Sequence, residues 1–141
     1  MSPVVIHLHA FATLAMTGLI WFVQVVHYPM FADVGRDRFA AYEARHQRLT
    51  TWVVGPLMLV EAMTAMAIIV QIGGGLAVAG GVCVALLWLS TALVQVPLHR
   101  RLCDGFDADA HRQLIATNWV RTALWSARSV IALLLLDELR G

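Results

Sequence analysis

Residues 51–97 read TWVVGPLMLVEAMTAMAIIVQIGGGLAVAGGVCVALLWLSTALVQVP, and this stretch decides the fold. It contains a single charged residue, Glu61, and the glycines at positions 73–75 divide it into two apolar halves. Each half is close to the roughly 20 residues that a helix needs to cross the hydrocarbon core of a bilayer. A link of only three glycines forces the two helices to run antiparallel. The stretch therefore predicts a transmembrane helical hairpin.

The apolar pattern continues on both sides of this hairpin. The four predicted spans cover residues 4–27, 51–72, 76–97 and 115–136. The 141-residue chain is 60% hydrophobic and 13% charged, whereas soluble domains are about 45 to 50% apolar and about 25% charged. The net charge of +1 argues against binding to nucleic acid. We therefore expect an all-α membrane protein in which residues 1–141 form a single four-helix transmembrane domain in the lipid bilayer.

Arginines set the predicted orientation. Seven of them lie in the first and third loops, namely Arg36, Arg38, Arg45, Arg48, Arg100, Arg101 and Arg112. On the opposite side only Arg140 is found. By the positive-inside rule the Arg-rich loops are cytoplasmic and both termini face outward. The first residues lack the basic region and cleavage site of a signal peptide, so the first span should be retained in a multi-pass protein of the bacterial inner membrane.

The first Arg-rich loop contains a segment with helical periodicity. Within residues 38–48, Phe39, Tyr42 and His46 fall on one side and the arginines fall elsewhere. This pattern predicts a short amphipathic helix at the membrane interface between the first two spans. It either stands alone or continues into the second span.

An internal repeat relates the first two spans to the last two. Residues 23–27 (VQVVH) match residues 94–99 (VQVPLH), because each run places a histidine shortly after Val-Gln-Val. Beyond each cytoplasmic loop, residues 46–52 (HQRLTTW) match residues 111–119 (HRQLIATNW). Such matches indicate two pseudo-repeated αα hairpins related by an axis along the membrane normal.

Each predicted span carries polar residues at helical intervals, and these either bond neighbouring helices or form a site. Glu61 and Arg128 differ from the rest, because an ionisable group at mid-bilayer costs about 2.5 to 3.5 kcal/mol and usually has a partner. Glu61 follows Trp52 by the interval at which Arg128 follows Trp119. We therefore predict an intramembrane ion pair at matched depth. The pair either pins two helices or takes part in handling protons or substrate.

One histidine lies at the cytoplasmic end of each predicted helix, namely His27, His46, His99 and His111. Imidazole is the commonest metal ligand, so four converging copies would hold iron or copper, in a mononuclear or dinuclear site, or clamp a haem b. Glu43 precedes His46 by three residues, which puts a carboxylate on the same helical face. The second half has Ala108 at the corresponding place, with Asp107 beside it. His7 and His9, at the opposite membrane face, are expected to be interfacial.

The runs VQVPLH at residues 94–99 and NWVR at residues 118–121 resemble motifs of small bacterial four-helix membrane proteins that are grouped with anthrone oxygenase. Those proteins often show Asn-Val-Pro-Leu-Asn before a loop, and an Asn with a following Arg at the start of the last helix. Here His99 takes the place of the final Asn, and the similarity covers mainly the second half. Residues 21–31 are similar to the histidine-bearing first helix of the haem-containing protoporphyrinogen oxidase. The resemblance implies a membrane oxidoreductase.

These features predict a metal-dependent membrane oxidase or oxygenase that acts on a lipophilic small molecule from the bilayer. The predicted metal ligands are His27, Glu43, His46, His99 and His111. The predicted residues that orient ligands or substrate are Gln24, Gln95, Asn118 and Arg121. One alternative is a bis-histidine haem b protein that transfers electrons, and another is a non-catalytic accessory subunit or transporter. Substrate, metal and oligomeric state, including a homo-oligomer, stay open.

Overall fold

The computed structural model of the protein describes residues 2–138, so Arg140 lies outside the described residues. Within that range the regular secondary structure is helical, without strands. The α-helices are α1 (Pro3–Phe22), α2 (Phe39–Gln71), α3 (Gly74–Ser90), α4 (Val96–Cys103) and α5 (Ala108–Glu138).

Four helical segments are long and apolar enough to cross a membrane, which confirms the predicted four-span, all-helical architecture. They are Pro3–Asp33, Phe39–Gln71, Gly74–Cys103 and Ala108–Glu138. The helices extend beyond the predicted spans, chiefly because the amphipathic residues from Phe39 onward form the first turns of α2 rather than a separate helix.

The first and third segments each contain a π-helical turn, Val23–His27 and Thr91–Gln95. A proline follows two residues after each of these turns, Pro29 in one case and Pro97 in the other. Proline lacks an N–H and its ring crowds the carbonyl one turn earlier. A π turn, in which the N–H bonds five residues back, widens the helix at such a point. After Pro29 the first segment tightens into a 3₁₀ turn, whereas the third continues as α4.

The helices form a four-sided bundle. α1 packs against α2 and α5, and α3 packs against the same two helices, so α1 and α3 lie on a diagonal. The link from α2 to α3 is a tight turn, because Gly73 and Gly74 adopt φ angles of +69° and +86°, which are open to glycine without strain. The glycines thus make the hairpin that the sequence predicts.

The bundle interior contains three apolar layers and an unusual number of polar groups. Tyr28, Phe31 and Phe39 dominate the layer at the end where α2 begins. Thirteen polar side chains of residues 2–138 are buried, including most of those on the predicted polar faces. Buried polar groups need hydrogen-bond partners, and their partners define two separate clusters.

Candidate active site

A carboxylate, an imidazole and a phenol are connected in series where α2 begins. Oε1 of Glu43, on α2, lies 2.6 Å from Nδ1 of His99, on α4. Nε2 of His99 lies 2.9 Å from the hydroxyl of Tyr28, which follows the first π turn. If Nδ1–H donates to the carboxylate, the neutral ring accepts the Tyr28 O–H at Nε2. This Glu43–His99–Tyr28 chain, called the relay below, has the connections through which a proton can pass from the phenol to the imidazole.

Glu43 is fully buried and held by its own helix. Gln47, one turn later on α2, donates to Glu43 Oε1 at 3.2 Å, to the His99 carbonyl oxygen at 3.2 Å and to Cys103 Sγ at 2.9 Å. Glu43 is 0% exposed, and residues 2–138 supply no partner for its second oxygen, Oε2. A buried carboxylate stabilises a positive charge on a neighbouring imidazole strongly, because the local dielectric is low.

The structure brings together three of the four predicted histidine ligands. Nε2 of His27 lies 2.9 Å from Nδ1 of His46, and the rings of His46 and His99 are 5.6 Å apart. His111 is engaged elsewhere, since its Nε2 lies 2.7 Å from the Tyr28 carbonyl oxygen and its ring stacks on Phe31. His111 therefore anchors the backbone that carries the relay tyrosine.

The histidine cluster is linked by hydrogen bonds. Among residues 2–138 no group of three or more His, Cys, Asp or Glu side chains is arranged to hold a metal ion. His27 and His46 bond each other, and both ring nitrogens of His99 are engaged by Glu43 and Tyr28. As arranged, the predicted ligands do not fit a shared ion, because nitrogens that would bind it already have partners. Metal or haem binding stays a prediction.

A cavity of about 240 Å³ lies beside the relay, between α1, α2, α3 and α5. Its apolar lining includes Met16, Ile20, Val54, Met58 and Val96. Its polar lining includes Tyr28, His46, Gln47, Gln95, His99 and Arg121. An apolar cavity of about 150 Å³ binds benzene, so this one has room for a small ring compound next to the relay.

Arg121 is the cationic side chain of this cavity. It is 6% exposed and forms no salt bridge with any carboxylate of residues 2–138. Its NH1 donates to Asn118 Oδ1 at 3.0 Å, and Asn118 in turn donates to Gln24 Oε1 at 2.8 Å. The guanidinium carbon lies 5.1 Å from the centre of the Trp125 ring. Gln24 and Asn118 therefore position Arg121, while its Nε has no partner in the described part of the chain.

Gln95, the last of the predicted orienting residues, comes from the second π turn. Its Nε2 donates to Thr117 Oγ1 at 2.9 Å, and its Oε1 has no partner among residues 2–138. Gln95 is 2% exposed and lines the cavity. Its free oxygen can accept a hydrogen bond from a bound molecule.

The second polar cluster surrounds Glu61, deeper in the bundle. Glu61 Oε1 lies 2.8 Å from Arg128 Nε, and both residues are at most 2% exposed. Thr13 donates to the same oxygen at 3.0 Å, and Trp125 Nε1 donates to Oε2 at 3.1 Å. Arg128 also donates to the Gly80 carbonyl oxygen. The cluster thus brings the two predicted intramembrane charges together away from the cavity.

The two histidines near the start of α1, His7 and His9, differ in their exposure. His7 is exposed, with Nδ1 at 2.6 Å from the Pro3 carbonyl oxygen. His9 is 3% exposed and lies 2.9 Å from Thr64 Oγ1, so it is buried inside the bundle, and its expected depth at the membrane interface stays a prediction. The cause of this burial is helical geometry, because His9 shares the inward face of α1 with Thr13.

Asp107 has a structural role in the loop before α5. It accepts hydrogen bonds from the backbone N–H groups of Ala110 and Asp109, each at 2.9 Å, and from Arg101 at 2.6 Å. These bonds, the Ala110 N–H first, hold the pKa of Asp107 below its usual value. Asp107 therefore caps α5.

Tyr28 and Gln47 are site residues that the sequence reasoning missed. Tyr28 stands between His27 and Pro29, and the π turn before it shifts the helical register that periodicity assumes. A tyrosine directly before a proline at the end of a polar-faced span was the available signal. Gln47 was visible only as a member of the repeat.

Comparisons of the chain with models of known protein families, with curated proteins and with solved structures found no match. The resemblance of residues 94–99 and 118–121 to anthrone-oxygenase-like proteins stays a prediction.

Proposed function

We propose that the protein is an integral membrane enzyme that removes a proton from a small lipophilic molecule bound in the cavity. The observation that carries this proposal is that the relay ends, at Tyr28 and His99, in a largely apolar cavity. Positioned acid–base groups in a water-poor site are characteristic of proton-transfer enzymes.

The relay supplies a base in two linked proton transfers. The Tyr28 hydroxyl gives its proton to His99 Nε2, and the imidazolium that results is stabilised by Glu43 at 2.6 Å. The Tyr28 phenolate then takes a proton from the bound molecule and becomes neutral again. The net change is one proton moved from substrate to His99, which leaves the substrate as an anion. General base catalysis of this kind contributes about 10² to 10⁴ in rate.

Arg121 complements this chemistry from a position next to Tyr28 in the same cavity. Its guanidinium lines the same cavity and is held by Asn118 and Trp125. A fixed donor aimed at developing negative charge lowers the barrier, because it needs no reorganisation during the reaction. Arg121 would thus stabilise the anion that the relay creates.

An oxidase or oxygenase activity, as the resemblance implies, would act on this anion. Iron, copper or haem b stays a prediction of the histidine pattern, and the proposal includes no redox step, because the histidines as arranged do not fit a shared ion. The proton steps use only Glu43, His99, Tyr28 and Arg121. The acid–base part of the proposal therefore stands independently of the cofactor.

We also propose an inner-membrane location with cytoplasmic Arg-rich loops, on the arginine distribution. Residues 38–48 would then lie at the cytoplasmic interface. The proposed repeat is supported by the π turns, each followed by a proline two residues later, in the first and third segments. The second hairpin has Ala108 where the first has Glu43, so the repeat would carry one relay rather than two.

The proposal is tested with 5-nitrobenzisoxazole, a two-ring carbon acid. When a base removes its ring proton, the N–O bond breaks and a yellow cyanonitrophenolate forms. We expect the purified protein in detergent micelles to accelerate this reaction above empty micelles, and Tyr28→Phe and His99→Asn to lower the rate at least tenfold. Tyr42→Phe, which changes the chain's other tyrosine outside the cavity, is the matched control. Equal rates for wild type and Tyr28→Phe would overturn the proposal.

A further inference from the structure

Among residues 2–138, Arg121, the buried cation of the cavity, has no carboxylate as a counter-ion. The two buried carboxylates already have partners, because Glu61 is paired with Arg128 and Glu43 with His99. Arg121 has the Asn118 amide oxygen, the Trp125 ring and the neighbouring Tyr28 hydroxyl as neutral partners, and its Nε has no partner among residues 2–138. An uncompensated buried charge is costly and usually marks a site whose ligand supplies the opposite charge. The cavity is therefore expected to hold an anionic oxygen against Arg121.

The relay restricts which anion this is. A base is needed only for an acid that is still protonated at neutral pH. A carboxylic acid, with an ordinary pKa of about 4, would arrive ionised, whereas a phenol, with an ordinary pKa of about 10, would arrive neutral. A neutral phenol also partitions into lipid more readily than an anion.

The cavity wall favours an aromatic ring over an alkyl chain. Met16, Met58 and Trp88 line it, and thioether sulfur and indole both make favourable contacts with aromatic rings. A volume of about 240 Å³, against about 150 Å³ for a cavity that binds benzene, suits one or two rings. Trp88 on α3 and Thr51 on α2 are exposed on the outside of the bundle, so this wall of the cavity is reached from the lipid side.

We infer that the substrate is a membrane-soluble phenol of one or two aromatic rings, which enters between α2 and α3 and is held as its phenolate by Arg121. This inference rests on the proposed function, because the relay must take up the phenol proton. To the proposed function the inference adds the class of substrate, the side from which the substrate enters and the residue that binds the substrate anion.

The test uses three probes of one ring system, namely 2-naphthol, naphthalene and 2-naphthoate. Binding to the purified full-length protein in detergent micelles is measured at neutral pH by fluorescence, and the long-wavelength absorption band of naphtholate reports the ionised form. We expect 2-naphthol to bind at least tenfold more tightly than naphthalene, and to be bound as naphtholate. Arg121→Gln should abolish the naphtholate band and bring both affinities together, while Arg48→Gln, an exposed arginine on α2, should change neither.

Other outcomes separate this inference from the proposed function. Equal binding of naphthalene and 2-naphthol by wild type would overturn the inference, even if 5-nitrobenzisoxazole is converted. Tighter binding of 2-naphthoate would show a carboxylate site and also overturn it. These two comparisons use wild type alone, so they decide the matter even if Arg121→Gln does not fold. Naphtholate binding without conversion of 5-nitrobenzisoxazole would support the inferred anion site and overturn the proposed base.

Discussion

The bundle buries two groups of ionisable side chains, and the two differ in how their hydrogen bonds are completed. Around Glu61 both carboxylate oxygens accept hydrogen bonds, and Arg128 is paired at 2.8 Å. Around the relay, Oε2 of Glu43 and Nε of Arg121 have no partner in the described part of the chain. The first group is complete without a ligand and lies apart from the cavity. In the second group the free Nε belongs to Arg121, which lines the cavity, whereas Glu43 is linked to the cavity through His99. We therefore assign stability to the first and chemistry to the second.

Trp125 connects the two groups. Its indole N–H donates to Glu61 at 3.1 Å, and its ring lies 5.1 Å from the Arg121 guanidinium carbon. Trp125 is fully buried, so the ring has little freedom to move. The ion pair thus helps to fix the surface on which Arg121 rests, and damage to the pair should also disturb the site.

The largest expected effect is on stability, from breaking the Glu61–Arg128 pair. Glu61→Gln or Arg128→Gln leaves one charge buried without its partner, which costs about 3 to 5 kcal/mol. Thermal and denaturant unfolding in detergent micelles measures this loss. The double substitution should recover part of it, and simple additivity in the double-mutant cycle would show that the residues do not interact.

Arg121→Gln is the matched control for this prediction. Arg121 is a buried arginine on the same helix, but its replacement leaves no carboxylate of residues 2–138 without its partner. We expect it to destabilise the protein clearly less than Arg128→Gln does. A loss as large as that of Arg128→Gln would remove the distinction between the two groups.

A smaller effect on stability, but a large one on rate, is expected from Glu43→Gln. The amide cannot stabilise an imidazolium at His99 as a carboxylate does, so conversion of 5-nitrobenzisoxazole should fall at least tenfold. The melting temperature should fall less than in Glu61→Gln, because Glu43 is paired with an imidazole and not with an arginine that would be left as an unpaired charge. An unchanged rate of 5-nitrobenzisoxazole conversion together with a large loss of stability would show that Glu43 stabilises the fold and has no part in the proton transfer.

The spans and the ion pair could be predicted from the sequence, because both depend on hydrophobicity and depth, which a linear pattern records. Glu61 and Arg128 occupy matching places in the proposed repeat, and the structure joins them. The histidine arrangement could be predicted only in part, since Pro29 and the preceding π turn rotate the chain away from ideal helical register. His99 bonds Tyr28 and Glu43 although it lies beside His46, and His111 bonds a backbone carbonyl oxygen instead of joining His27, His46 and His99. Backbone interruptions of this kind leave no periodic signal.

The smallest expected effect comes from Asp107, a partly exposed carboxylate that belongs to neither buried group. Because hydrogen bonds from Ala110 and Arg101 lower its pKa in the folded state, its contribution to stability is present above the unfolded pKa of about 4. That contribution is lost as the pH falls through the lower, folded pKa. Asp107→Asn keeps an oxygen that can cap α5 but removes the charge, so at neutral pH we expect its melting temperature to fall by about 2 °C or less. In acid below the folded pKa, wild type is protonated too, and the two melting temperatures should converge. A shift that persists unchanged in acid would mean that the charge of Asp107 contributes nothing, and that the backbone bonds alone set the effect.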